Sequence, residues 1–390
     1  MSEEVMNQRI YLDWNATAPV LPEVREAMVH ALTSIVGNAS SIHREGQTAR
    51  AVVERARRAV AKAVNAPAQA VILTGGATES NNQVIRDHIR VTPNPFVICT
   101  ALEHPSVLEV IGDLAREEVR TAIWPVDAQG RLPLSWLEEE LARGVTLVSV
   151  MWANNEVGNV NDIKKIAEMV HGQGALLHVD GTQALGRVEL DFSEAHVDFL
   201  TLSFHKMGGP KGIGATVVRE GLKVGALLSG GHQERGRRPG TENVPAAAGL
   251  EAAANALLLK GATWREDLAE KKKYFLEALN EIEDLELRGD LQNQLPNTLN
   301  VAFAGVDGED LLMALDLEGV CASSGSACTA GSLEPSHVIL AMGYEEQAAR
   351  RSVRFSFGPD TSKEELKEAV QIISQAVTRL RSLTTSLTHS

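Results

Sequence analysis

From about residue 70 onward, short apolar runs alternate with stretches whose apolar residues recur every three or four positions. The runs are VILTG at 71–75, FVICT at 96–100, TLVSVMW at 146–152, ALLHVD at 175–180, VDFLTLS at 197–203 and ATVV at 215–218. Helical patterns lie between most of them, as in Ser106–Glu118 and Ile163–Gly172. Such alternation predicts a mainly parallel sheet covered by helices on both faces. Ligands of such sheets sit at the carboxyl ends of the strands. Polar residues gather there: Thr78, His104, Asn154 with Asn155, Asp180 with Gln183, and His205 with Lys206.

Further on the regularity fades. An alanine- and leucine-rich helical stretch, Ala246–Leu259, precedes a charged one, Trp264–Glu283. Short strands are then predicted near 298–303, 319–323 and 352–357, with helices at 309–316, 335–342 and 362–382. This pattern implies a large domain over 15–257 and a smaller α/β domain from 1–14 and 258–390, with a polar loop at about 321–334.

With 390 residues, 44% of them hydrophobic, the chain can fill a sizeable core. A net charge of −14 argues against a nucleic-acid partner, which needs a basic face. The local exception is Arg235, Arg237 and Arg238 near His232, too short for a nucleic-acid groove but suited to one small anion. Three cysteines, Cys99, Cys321 and Cys328, are too few and too odd for a disulfide framework. No apolar stretch approaches the roughly 18 residues of a membrane span, and the start has no signal-like pattern. The expectation is a cytoplasmic protein with no membrane partner. No CxxC, HExxH or close His/Cys cluster suggests a metal.

Two distant segments hold the candidate chemistry. Ser203-Phe204-His205-Lys206 ends an apolar run, and an amine there, partly desolvated, can form an imine with an aldehyde cofactor. A lysine taken alone reads as a solvated charge; its neighbours Ser203 and His205 can hydrogen-bond a phosphate. Ser323-Ser324-Gly325-Ser326-Ala327-Cys328 puts a thiol in a small, polar loop. Cys321 begins the same segment and is the alternative thiol, although a cysteine in an apolar strand is usually inert; Cys99 reads as core. Gly75-Gly76-Ala77-Thr78 joins strand to helix, either as a phosphate cradle or as an ordinary turn with Thr78 at the N-cap. Asp180 ends an apolar strand, where it suits either a pyridoxal ring nitrogen or the cap of the next turn. Gln183 could reach the phenolic oxygen of the same ring, and His104 could stack on its face and carry protons. Arg354, inside an apolar strand, needs a substrate carboxylate or an internal Asp or Glu as partner.

These segments resemble the pyridoxal-phosphate cysteine desulfurases of the NifS/IscS type, within the class V aminotransferase group. The resemblance runs from Tyr11 to about Gly358. Its most specific pieces are Thr74–Asn82, Asn154–Gly158, His178–Gln183, Ser203–Lys206, Gly240-Thr241, Ser323–Cys328 and Ser332–His337. It implies a type I aminotransferase-like fold, with a mainly parallel seven-stranded sheet in the large domain. It implies pyridoxal 5'-phosphate on Lys206, with phosphate contacts from Ala77, Thr78, Ser203, His205 and, across a homodimer, Thr241. It assigns Asp180 to the ring nitrogen, Gln183 to the ring oxygen, His104 to stacking and proton transfer, and Asn155 and Arg354 to the substrate carboxylate, with Asn38 in a substrate-side loop. The implied reaction takes L-cysteine to L-alanine through a persulfide on Cys328, handed on to an iron–sulfur scaffold or another acceptor. The rivals are a selenocysteine lyase, another class V lyase or aminotransferase, and a catalytically idle sulfur-relay subunit. Pro239 and the Val36-Gly37-Asn38-Ala39 segment depart from the family pattern at the pocket rim, and Trp14 replaces a smaller or polar residue.

Overall fold

The structure, a computed structural model, describes residues 9–324 and 335–388. Seven strands form one sheet: β2 (Val71–Thr74), β3 (Phe96–Thr100), β4 (Arg120–Trp124), β5 (Leu147–Met151), β6 (Leu176–Asp180), β7 (Phe199–Ser203) and β8 (Gly214–Val218). Their spatial order is β2-β8-β7-β6-β5-β3-β4. Strands β7, β6, β5, β3 and β4 pair in parallel, and β8 runs antiparallel to both its neighbours. The sheet is therefore mainly parallel, with one reversed strand next to an edge.

The apolar runs show no strict alternation because both faces of the sheet are covered. In β2, Val71 and Leu73 join the core that holds the helices Arg44–Ala63, Ile163–Gly172 and the first half of Val244–Leu279, while Ile72 joins the core under the helices Ala77–Val91 and Pro105–Arg116. In β3, Ile98 faces the first core and Val97 and Cys99 the second. The period-two geometry of a strand thus feeds two cores at once.

A second layer follows. Strands β9 (Leu285–Arg288), β10 (Thr298–Phe303) and β12 (Val353–Ser356) form an antiparallel sheet of order β12-β10-β9. A two-residue strand β1 (Ile10–Tyr11) pairs in parallel with β11 (Val320–Cys321). Ile10 and Leu12 pack in the same core as Phe275, Phe303, Phe355 and Leu366. The two helices expected over 246–259 and 264–283 are one helix of 36 residues, Val244–Leu279. Its first half fills the large-sheet core through Ala247, Leu250, Ala253 and Ala254, and its second half fills the smaller core through Leu268, Phe275 and Leu279. Composition changes along this helix because its surroundings change, not because it breaks. Among the described residues, no helix is long and apolar enough to cross a membrane.

Candidate active site

The carboxyl ends of β2, β3, β5, β6 and β7 open onto a cleft of about 780 Å³, closed on one side by Arg354 of the second layer. Its lining includes Ala77, Thr78, His104, Asn155, Asp180, Gln183, Ser203, His205, Lys206 and Arg354. All ten were predicted from the sequence.

Lys206 rides on a short 3₁₀ turn, Phe204–Met207, directly after β7. Gly208 ends that turn in the left-handed region at φ 88°, and a Cβ there would stand 2.5 Å from Leu21 Cγ, so only glycine closes the turn against its neighbour. Beneath it lies the buried guanidinium of Arg187, which donates to the Lys206 carbonyl at 2.9 Å, to the Trp14 carbonyl at 3.3 Å and to Gln183 Oε1. Burial, reinforced by Arg354, lowers its pKa to about 9. His205 meets Thr17 Oγ1 at 3.1 Å. Burial, then Lys206, Lys211 and Arg187, lowers its pKa to about 4, so its ring is neutral.

Asp180 is buried at the end of β6, with Oδ2 accepting from Asn81 Nδ2 and Oδ1 from the Thr182 amide, both at 2.9 Å. The second bond is the turn cap that the sequence allowed as the alternative; the first ties Asp180 to a network. Asn81 also donates to Ser106 Oγ at 2.9 Å, and Ser106 donates to His104 Nδ1 from its hydroxyl at 2.9 Å and its amide at 3.1 Å. His104 is thus the N-cap of Pro105–Arg116, with Nδ1 occupied as an acceptor and the proton of the neutral ring on Nε2. Burial first, then the positive charge of Lys206, hold its pKa below the usual imidazole value despite Asp180.

The helix after the Gly75-Gly76 turn starts at Ala77, and Gly76 occupies the cap position without a side-chain bond. Thr78 is therefore not the N-cap, and the first amides of the helix face the cleft without a competing side chain. Ser203 and His205 line the same end. An uncapped helix start, a hydroxyl and a neutral imidazole suit a phosphate. A carboxylate on the floor suits a ring nitrogen, and a lysine suits an aldehyde. The residues present fit pyridoxal phosphate.

Arg354 has the internal carboxylate partner that the sequence allowed. Nη2 donates to Asp13 Oδ1 at 2.6 Å and Nη1 to the Asn155 carbonyl at 3.0 Å. Its guanidinium still lines the cleft, so a substrate carboxylate would share it with Asp13. Gln183 donates through Nε2 to the Asn15 carbonyl at 2.9 Å.

Asn38 and Thr241 do not line the cleft of this chain; both are exposed, and Asn38 Oδ1 accepts from the Ser40 amide at 2.8 Å. Cys328 lies outside the described residues. Cys99 is fully buried, and burial pushes its thiol well above the ordinary value. Cys321 is half-buried, with Arg9 Nη2 donating to its sulfur at 3.4 Å. On the far side of the loop, Ser336 donates to the buried Glu156 and His337 Nε2 donates to the Glu103 carbonyl at 3.0 Å. Sequence reasoning gave no role to Asn81, Ser106 or Arg187; the signal for Asn81 was a polar residue on the buried face of an amphipathic helix.

The sequence matches the Aminotransferase class-V family over residues 10–368. A cysteine desulfurase of Trichormus azollae is 42% identical over 376 residues, covering 96% of this chain and 94% of the relative. Among solved structures, a NifS-like protein superposes with a TM-score of 0.89 at 30% identity, over 95% of this chain and all of its own. A structure described as SspA in complex with cysteine superposes with a TM-score of 0.80 at 30% identity, over 90% of this chain and all of its own.

Proposed function

The chain belongs to the class V aminotransferase family, among its cysteine desulfurases, and on that footing we propose that it converts L-cysteine to L-alanine and carries the sulfane sulfur on Cys328. Its cofactor is pyridoxal 5'-phosphate. The observation that carries the reading is the meeting of Lys206, Asp180, His104, Ser203 and His205, from three separate strand ends, around one cleft. The neighbour solved with cysteine supports the substrate.

When bound, the cofactor supplies an electron sink for the charge left at the substrate's α-carbon. Lys206 is the residue that would hold the aldehyde and, once displaced by the substrate amine, take the α-proton at Nζ. Asp180, fixed by Asn81 and Thr182, is the carboxylate that would hold the cofactor's ring nitrogen in its protonated form. Neutral His104 holds its proton on Nε2 and can donate a hydrogen bond towards the substrate, its orientation set by Ser106. To act as a proton carrier it first takes up a second proton, from the substrate side, and then returns it. The Cys328 thiolate attacks the substrate sulfur. A sulfur–sulfur bond forms as the carbon–sulfur bond breaks, with the bonding pair going to carbon, which becomes the alanine methyl after protonation. The persulfide then passes to an acceptor thiol, which we take to be an iron–sulfur assembly scaffold. A homodimer accounts for Thr241 being exposed and outside its own chain's cleft, and a reducing cytoplasm suits a working thiol.

The test is a visible spectrum of the purified protein, followed by L-cysteine with a reductant and joint assay of alanine and sulfide. Equal yields of both are expected. Lys206→Ala should lose the visible absorbance, and Cys328→Ala should keep it while sulfide release stops. A coloured protein that makes neither product would point to another amino-acid substrate, and normal turnover by Cys328→Ala would exclude the persulfide route.

A further inference from the structure

Glu79 stands where a negative charge is least welcome in a phosphate site. It belongs to the first turn of the helix Ala77–Val91 and lines the cleft. Its Oε2 accepts the Gly75 amide at 3.0 Å, and a Cβ on Gly75 would lie 2.6 Å from that oxygen, so the carboxylate is packed onto the turn itself. Arg238 faces it, donating from Nε to Oε1 at 2.9 Å and from Nη2 to Oε2 at 3.2 Å.

Arg238 is delivered by a segment pinned to the strand and helix that flank the cradle. Glu234, buried, receives Arg57 through both terminal nitrogens at 2.5 and 2.7 Å and the Leu73 amide at 3.0 Å. Gln83, in the cradle helix, donates to the Arg237 carbonyl at 2.7 Å. Glu234 and Arg235 both adopt the left-handed region, at φ 50° and 59°. Non-glycine residues resist that conformation, so the pins hold the segment against its backbone preference. Two of the three arginines singled out in the sequence are thus engaged within the fold: Arg238 with Glu79, and Arg237 with the carbonyls of Gln69 and Val71.

We propose that Arg238 is a positioning residue for the cofactor phosphate: by holding and neutralising Glu79 at Gly75, it keeps that carboxylate from opposing the phosphate, so the pair sets the preference for phosphorylated over unphosphorylated cofactor. The proposal rests on the reading of the cleft as a pyridoxal-phosphate site and adds to it one residue of the cradle, Glu79, and one that holds it, Arg238.

The full-length protein, freed of cofactor, is titrated with pyridoxal phosphate and separately with pyridoxal, following visible absorbance. Arg238→Gln should weaken pyridoxal phosphate about tenfold and pyridoxal by less than about twofold. The double variant Glu79→Gln/Arg238→Gln should recover most of the loss, because the unpaired charge has gone while the ion pair is still missing. Equal losses for both ligands, no loss in Arg238→Gln, or no recovery in the double variant would overturn the proposal; the first and last would reduce the pair to a fold contact. If the unaltered protein bound neither ligand, the reading of the cleft would fail first, and the two failures are thereby told apart.

Discussion

Glu103 shows what a single buried charge does beside this site. It directly precedes His104, its side chain is fully buried, and one oxygen takes both donors: Thr100 Oγ1 at 2.6 Å and the Met151 amide at 2.8 Å. The other oxygen has no partner among the described residues. Burial pushes the carboxyl up to about 8, with Asp180 adding to the effect. The fold therefore keeps a proton that the unfolded chain, with a pKa near 4.5, gives up. Stability from this group falls as pH rises from about 4.5 towards 8, by up to about 1.4 kcal/mol per pH unit. Glu103→Gln removes the titration and keeps an acceptor for both donors. Its melting temperature relative to the parent should climb between pH 5 and pH 8; a constant difference would show that Glu103 is already ionised in the fold. Lys206, Asp180 and His104 were legible in the sequence because each follows an apolar run that fixes it as a strand end. Arg187 was not, because a polar residue in a turn reads as solvated until the packing behind it is known, and Asn81 left only the signal of a polar residue on the buried face of an amphipathic helix. For Arg354 the sequence left two partners open, and only the tertiary fold could reveal which carboxylate stands beside it: Asp13, 341 residues away in sequence.

At the scale of elements, the sequence revealed those that are buried on both faces and missed those that are not. Strand β4 reads RTAIW, with four of its five residues exposed or half-buried, since it is the edge of the sheet. Strand β9 reads LELR at the edge of the smaller sheet. Neither forms an apolar run. The helix Val244–Leu279 was read as two because its apolar stripe changes partners near Leu259–Trp264. Its continuity has a mechanical consequence: one rigid rod enters both cores, so displacement of the smaller layer is carried into the larger one. Lys260 is exposed near the middle of this rod. Lys260→Pro would remove one backbone hydrogen bond and clash with the carbonyl four residues earlier, at a cost of about 3 kcal/mol. The expected result in differential scanning calorimetry is a lower and broader transition that separates into two, because each core keeps its own packing. A single sharp transition, merely lowered, would show that the cores are coupled through their direct contacts rather than through the helix.

Across the whole molecule, the buried titratable groups give opposite responses to acid. His88, His178 and His205 are each lowered to about 4, with burial as the first cause. All three lie in or beside the large sheet: His88 meets Thr146 Oγ1 at 2.9 Å, His178, within β6, lies between Ser149 and Thr201 at 2.8 and 3.0 Å, and His205 follows β7. Between the unfolded pKa of 6.5 and the folded value near 4, the unfolded chain takes up protons that the fold refuses. The stability these rings provide is complete above pH 6.5 and is lost as pH falls towards 4. Glu103 and Glu156, both raised by burial, work the other way and release protons on unfolding through part of the same window. As pH falls from 6.5 the rings of the unfolded chain fill with protons, with His104, also lowered by burial, adding to the three, while release from the carboxyls wanes towards their unfolded pKa of 4.5. The net is an uptake that grows towards acid, each net proton being worth about 1.4 kcal/mol per pH unit. The molecule should therefore lose stability with increasing steepness as pH falls from about 6 to about 4.5. Urea denaturation at several pH values measures the slope directly. His178→Asn, which removes the ring held between two hydroxyls, should lower stability at pH 7 and flatten the acid slope by close to one proton. An unchanged slope in that variant would mean that the ring is already protonated inside the sheet, and the acid sensitivity would have to come from the remaining rings.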